Sequence, residues 1–238
     1  MKMKKETDRM EKNYFKGLTR KDYIQRVQEI LEKTGEKDIS IRKIANELGC
    51  SSAALYRYFS SKDELVYYLN LKVLENYIAR LNEAEKSWEN PWDIYVGVWE
   101  CYCEEAFAHP DEFNTLFFRY NNETLNSAIR EYYEMFPDNI QHTSEFFLEM
   151  LNTSDFLGRD FEMCKKCVEA GVISYDNTVR LNRMVCMIYK GYFKTIYDER
   201  PGKDEIREIK KQCIQDIENI VYSLAGDMKD YKSRHESL

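Results

Sequence analysis

Glycine and proline are scarce in this chain, nine and four of 238 residues. So few turn formers leave a protein of long helices joined by few turns. No run of eighteen apolar residues exists, and the Lys-rich start MKMKKETDRMEK has no apolar stretch behind it. A transmembrane span and a secretory signal are thereby excluded, no membrane partner is expected, and the chain reads as cytoplasmic. Histidine is nearly absent: His109, His142 and His235 stand far apart, and Cys164-Lys165-Lys166-Cys167 has no second CxxC to complete four zinc ligands. There is no phosphate-binding glycine loop, no GxSxG elbow and no HExxH. The carboxylates scatter along helix faces, so neither an enzyme nor a cofactor or metal is expected. The seven cysteines, odd in number and irregularly spaced, fit a reducing compartment better than a disulfide framework.

What is present is helical periodicity from end to end, and the fold class is all-α. The patterns predict helices at about 20–33, 41–48, 52–59, 62–86, 90–108, 110–120, 123–135, 139–151, 155–170, 177–198 and 203–225. Residues 1–18 are polar and Lys-rich, an arm that is either a solvated tail or a reach along a duplex. Two domains are expected, 1–66 and 67–238.

The most specific signal is ISIRKIANELGCSSAALYRYFSSKDEL over residues 39–65. Ile41, Ile44, Ala45 and Leu48 recur at i, i+3, i+4, i+7 behind the N-cap Ser40, and Gly49 stands where a helix ends left-handed. Ser51 caps a second helix whose Leu55 and Phe59 point inward, and Ser61 with Glu64 forms a capping box that opens the next. Two short helices around a tight turn are the scaffold that lays a recognition helix in a DNA major groove. Ser52, Ala53, Tyr56 and Arg57 then face outward. Arg57 has the fork for guanine O6 and N7 or for a phosphate, and the small Ala53 and Ala54 allow close approach to thymine methyls. Tyr56 and Tyr58 carry hydroxyls for phosphates, with an inward-packed Tyr58 as the other reading. Lys62, Ser40 and Ser51 sit at helix starts, where free N–H groups favour an anion.

Charge supports this reading by segment. The net −7 divides into 15 Lys and Arg against 11 Asp and Glu over 1–66, and 20 against 31 over 67–238. Attraction to phosphate fades within a Debye length of ~8 Å, so the local excess decides.

These residues also carry a resemblance. Ile44-Ala45, Leu48-Gly49, Ser51, Leu55-Tyr56, Tyr58-Phe59, Lys62 and Glu64-Leu65 stand in a pattern similar to the DNA-binding domain of the TetR family of bacterial transcriptional regulators. The likeness covers roughly residues 20–66. It departs at Ala53-Ala54, where the family often has Gly-Thr, which bears on base preference. The resemblance implies a base contact from Arg42, a ligand-responsive regulator that more often represses, and dimerisation through the last two helices.

Geometry asks for a homodimer too, since two modules on a two-fold axis read two half-sites of a near-palindromic operator ~34 Å apart. Leu181, Val185, Ile188, Tyr192 and Ile196 form a stripe on the penultimate helix. Ile206, Ile209, Cys213, Ile217, Ile220 and Leu224 form one on the last. The aromatic-rich stretch 90–175 suits a small apolar or flat aromatic effector between helices, with Trp99, Tyr102, Phe117 and Phe118 as candidate pocket residues. Two alternatives stay open: a DNA-binding architectural protein without an effector, and a thiol-based redox sensor using Cys164 and Cys167.

Overall fold

The computed structural model describes residues 18–34, 40–118, 122–153, 155–226 and 231. Among them lie twelve α-helices and no strand. The arm expected over 1–18 falls, Leu18 apart, outside the described residues, as does Gly35. The chain divides into two compact units, one ending at Lys72 and the other beginning at Val73, six residues beyond the boundary expected from sequence.

In the first unit, α1 spans Arg20–Thr34, α2 Ile41–Leu48, α3 Ser52–Leu55 and α4 Lys62–Asn70. Thr19 opens α1 reciprocally with Asp22: the Asp22 amide donates to Thr19 Oγ1 at 3.3 Å and the Thr19 amide to the Asp22 carboxylate at 2.6 Å. Gly49, at φ 71°, ends α2 as a Schellman motif, with Cys50 N–H donating to Ala45 O and Gly49 N–H to Asn46 O. A side chain there would meet the left-handed penalty, so glycine is required at the turn. Tyr23, Ile24 and Val27 of α1 pack with Ile44, Ala45, Leu55, Phe59 and Leu65 as one buried core. Arg20 pins α1 to α4. Its guanidinium pairs with Glu64, donates to Tyr68 Oη at 3.0 Å, and lies 4.3 Å from the Tyr68 ring centroid.

The second unit holds α5 (Val73–Ala84), α6 (Pro91–Ala108), α7 (Pro110–Phe117), α8 (Asn122–Met135), α9 (Glu145–Asn152), α10 (Phe156–Glu169), α11 (Tyr175–Glu199) and α12 (Lys203–Leu224). Helix α6 is buried along most of its length, packed by α5, α7, α10, α11 and α12. Asn90 and Asp93 close a capping box at its start, followed by Pro91 in the first turn. Gly97 is there because a β-carbon would come within 2.4 Å of the Trp88 indole. Antiparallel α11 and α12 are joined by Arg200-Pro201-Gly202, with Arg200 at φ 53°.

Two expected helices are corrected. The single helix over 62–86 is instead α4, a turn at Leu71-Lys72, α5 and a 3-10 turn at Glu85–Ser87. Lys72 N–H bonds to Leu69 O at 3.3 Å, an i−3 bond that tightens the chain out of α-geometry. The segment 139–151 is a 3-10 turn at Pro137–Ile140 followed by α9 from Glu145. Pro137 brings no N–H, and Asn139 Nδ2 is held by the Glu75 carboxylate at 2.7 Å.

Candidate nucleic-acid interface and inner cavity

The outward surface of the first unit is built by its caps. Ser40 Oγ accepts from Lys43 N–H and Ser51 Oγ from Ala54 N–H, both at 3.2 Å, which fixes the starts of α2 and α3. Both serines are exposed. Helix α3 has four residues, shorter than the 52–59 expected, yet Phe59 N–H still bonds to Leu55 O at 3.0 Å and carries the winding through the turn. Arg42, Ala53, Tyr56 and Arg57 are exposed together, Tyr56 at 52%, and Ser52 is half-buried beside them. Arg42 and Arg57 enter no ion pair among the described residues. Lys43, exposed next to Arg42, is a cation that the sequence reading passed over. Lys62 is half-buried at the start of α4.

Tyr58 is the correction on this surface. Its hydroxyl donates to Leu18 O at 2.7 Å and its ring packs on Tyr23, centroids 4.8 Å apart. It holds the unit together rather than facing outward, which was the other reading of that residue. The capping box at α4 is also modified. Ser61 Oγ accepts from Glu64 N–H at 3.1 Å, but the Glu64 carboxylate reaches back to Ser60 N–H at 2.5 Å, one residue earlier. Burial pushes the Glu64 carboxyl up; hydrogen bonds from Ser60 and the Arg20 charge outweigh it and hold it below the usual range.

In the second unit, α5, α6, α7, α9 and α10 surround a narrow cavity. Its walls include Tyr77, Trp99, Tyr102, Phe117 and Phe156, with Arg159 and Asp160 as charged members. The cavity measures about 40 Å³, room for a water-sized occupant with the walls as they stand. Of the four pocket candidates, Trp99, Tyr102 and Phe117 line this space. Phe118 does not: it is 40% exposed and stacks on Phe193 at 4.9 Å.

Sequence reading missed both charged members, Arg159 and Asp160. Asp160 is buried and accepts from Trp99 Nε1 and Asn182 Nδ2, each at 2.8 Å, and from Tyr95 Oη at 3.4 Å. Burial pushes its carboxyl up to about 7, against the pull of those three donors. A signal existed: Phe156, Asp160, Met163 and Cys167 recur at core spacing, so a carboxylate sits where an apolar residue is due.

The cysteines are placed against a redox role. Cys164 and Cys167 form no disulfide and are fully buried. Burial pushes the Cys167 thiol up to about 12 and Cys164 well above its ordinary value. The reactive species is the thiolate, which this environment suppresses. Among the described residues no cluster of His, Cys, Asp and Glu is arranged to hold a metal, and no helix is long and apolar enough to cross a membrane.

The proposed pairing stripes divide. Leu181, Val185, Cys213, Ile217 and Ile220 are buried within their own chain, where α11 and α12 pack on each other and on α6. Ile188, Tyr192 and Ile209 are half-buried, and Tyr192 Oη donates to Asp216 at 2.6 Å. The outward apolar face of α11 is a different one: Val179, Met184 and Met187, the last 67% exposed. Met187, Ile188, Gly191, Tyr192 and Thr195 line a shallow groove along it.

Comparison with known proteins agrees with the first unit in particular. Residues 29–69 match the family described as bacterial regulatory proteins, tetR family. An HTH-type transcriptional regulator of Staphylococcus aureus strain USA300 is 21% identical over 198 residues, 78% of this chain and 97% of that protein. Another, from strain MSSA476, is 31% identical over 78 residues, 31% of this chain and 42% of that one. A protein of unknown function from Rhodococcus sp. RHA1 shares the fold, with a TM-score of 0.52 at 18% identity over 88% of this chain and 96% of that one.

Proposed function

The chain belongs to the TetR family of bacterial regulatory proteins, and from that premise we propose that this DNA-binding transcriptional regulator is a homodimeric repressor released from its operator by a small apolar or aromatic molecule. The observation that carries the effector half of this reading is the aromatic cavity of the second unit, walled by five helices and entered by two charged side chains. Leu74 and Tyr77 in that wall belong to α5, the helix that begins directly after Lys72. A ligand that parts the walls therefore acts on the segment leading out of the first unit. It can shift DNA affinity only as far as it binds the two states differently.

Base reading falls to Arg42, Ala53, Tyr56 and Arg57, and phosphate contact to Ser40, Ser51 and Lys62 with Lys43. The pairing surface is the outward face of α11, with Met187 and Ile188 at its centre and Gly191 allowing close approach. An exposed groove with an apolar lining of this kind supports a partner surface.

Selection of bound duplexes from a random library tests the reading. An enriched inverted repeat, bound by two copies of the chain, is the expected result. Enrichment of nothing, with affinity that falls steeply with salt, would sink the operator-specific reading in favour of an architectural protein.

A further inference from the structure

The polar equipment of the cavity is one-sided. The Asp160 oxygens are engaged by Trp99, Asn182 and Tyr95, so an incoming cation would have to displace donors already in place. Arg159 is posed differently. Its Nε donates to Thr153 O at 3.1 Å, which anchors the stem, and its guanidinium carbon lies 5.5 Å from the Phe117 ring centroid at the cavity wall. Its charge reaches the phenols of Tyr77, Tyr102 and Tyr133, contributed by α5, α6 and α8. Tyr102 is buried in the same wall. Tyr102 and Tyr189 lie near enough to act on each other's ionisation, but neither hydroxyl completes a hydrogen bond. A buried hydroxyl in that condition is a donor in need of an acceptor.

We propose, resting on the reading of this cavity as the effector site, that its ligand is a lipophilic monocarboxylate whose head group is held by Arg159 and Tyr102. The guanidinium offers N–H groups in the fork that matches a carboxylate, and Tyr102 adds an O–H from the neighbouring helix. Among the described wall residues Arg159 is the cation, and a singly charged head enters the apolar space beside it at a lower desolvation cost than a dianion. The rest of the wall, Leu74, Val98, Met150, Leu151 and Met163 with the Trp99 and Phe156 rings, is suited to an alkyl or flat aromatic body.

Three probes that share one apolar body and differ in the head test this: decanoate, decan-1-ol and decylamine, titrated against the full-length protein by calorimetry and by tryptophan emission. Decanoate is expected to bind roughly tenfold or more tighter than decan-1-ol, the worth of a charge-assisted hydrogen bond. Arg159→Gln should bring decanoate close to decan-1-ol while leaving decan-1-ol unchanged, and Tyr102→Phe should weaken decanoate alone. Tightest binding by decylamine would overturn the proposal in favour of a cation read by Asp160. Equal binding of all three would overturn the head-group assignment and leave the effector site standing. Binding of none would remove the effector site itself, and the proposal with it. The order of the three heads on the unsubstituted protein decides even if Arg159→Gln does not fold.

Discussion

The two units solve opposite problems with the same helices. The first keeps its candidate contact groups outside: Arg42, Ala53, Tyr56 and Arg57 project from α2, α3 and the turn after α3, while Arg20, Glu64 and Tyr68 lock the helices behind them. The second turns its polar groups inward. Asp160 lies among rings, and Arg159 and Tyr102 line a narrow cavity. On the proposed reading, a surface that meets a rigid duplex gains from a small, well-braced frame, and a cavity that admits a ligand gains from a buried hydroxyl that the ligand can bond.

Deleting the frame gives the largest effect. Phe59 is buried at the end of the α3 winding, and Phe59→Ala should destabilise the first unit by about 3–5 kcal/mol. All three tryptophans, Trp88, Trp92 and Trp99, belong to the second unit, so their emission reports it alone. The expected result is loss of DNA binding with native tryptophan emission at 25 °C. A red-shifted emission in the variant would show that the second unit does not hold its core without the first.

Protonation sharpens the contrast. The raised carboxyl of Asp160 is protonated in the folded state and ionised in the unfolded chain between about pH 4 and 7. Its contribution to stability is therefore full below about pH 4, declines as pH rises through that window, and is flat above it, a span of up to about 4 kcal/mol. Glu64 has the opposite sign: its lowered carboxyl contributes above the usual carboxylate range and that contribution is lost on acidification. Asp160→Asn should flatten the fall in the tryptophan-detected Tm from pH 5 to 7.5. An unchanged slope would place the titration elsewhere.

How much of this was legible in sequence follows from how local each feature is. The caps at Ser40, Ser51 and Ser61 and the left-handed Gly49 are each determined within a few residues, so the DNA-reading unit could be read almost whole. Tyr58 was ambiguous because its partner, Leu18, lies forty residues away. The break at Leu71-Lys72 carries no glycine or proline, and nothing in the local pattern marks it. The cavity draws on residues from Leu74 to Met163, and each of its rings has core spacing whether or not it lines a space. Periodicity likewise showed that Leu181, Val185, Cys213 and Ile217 are buried, but not against what. They face their own chain, and the outward face of α11 breaks the apolar pattern with Arg180 and Arg183.

A smaller effect separates base reading from mere attraction. Arg57→Ala should lower operator affinity by about 1–3 kcal/mol and relax selection at one position per half-site. Lys62→Ala should weaken all duplexes alike and flatten the salt dependence. If selection with Arg57→Ala returns the same base frequencies at every position, the residue grips the backbone and Arg42 or Tyr56 carries the discrimination.

The smallest change tests whether the frame or the surface governs the first unit. Ser51 Oγ caps α3 through Ala54 N–H, and the residue is exposed. Losing an N-cap removes about 1 kcal/mol of stability, whereas losing a phosphate contact removes affinity without touching the fold. Ser51→Gly and Ser51→Ala both delete the hydroxyl, but glycine at an N-cap costs only a few tenths of a kcal/mol. If the cap is what matters, Ser51→Ala should lower both the stability of the first unit and operator affinity, and Ser51→Gly should recover most of each. If the phosphate contact is what matters, the two variants should bind equally weakly while differing in stability. Chemical denaturation followed by circular dichroism, set beside operator titrations, distinguishes the outcomes, because only in the second do the two variants bind alike while differing in stability.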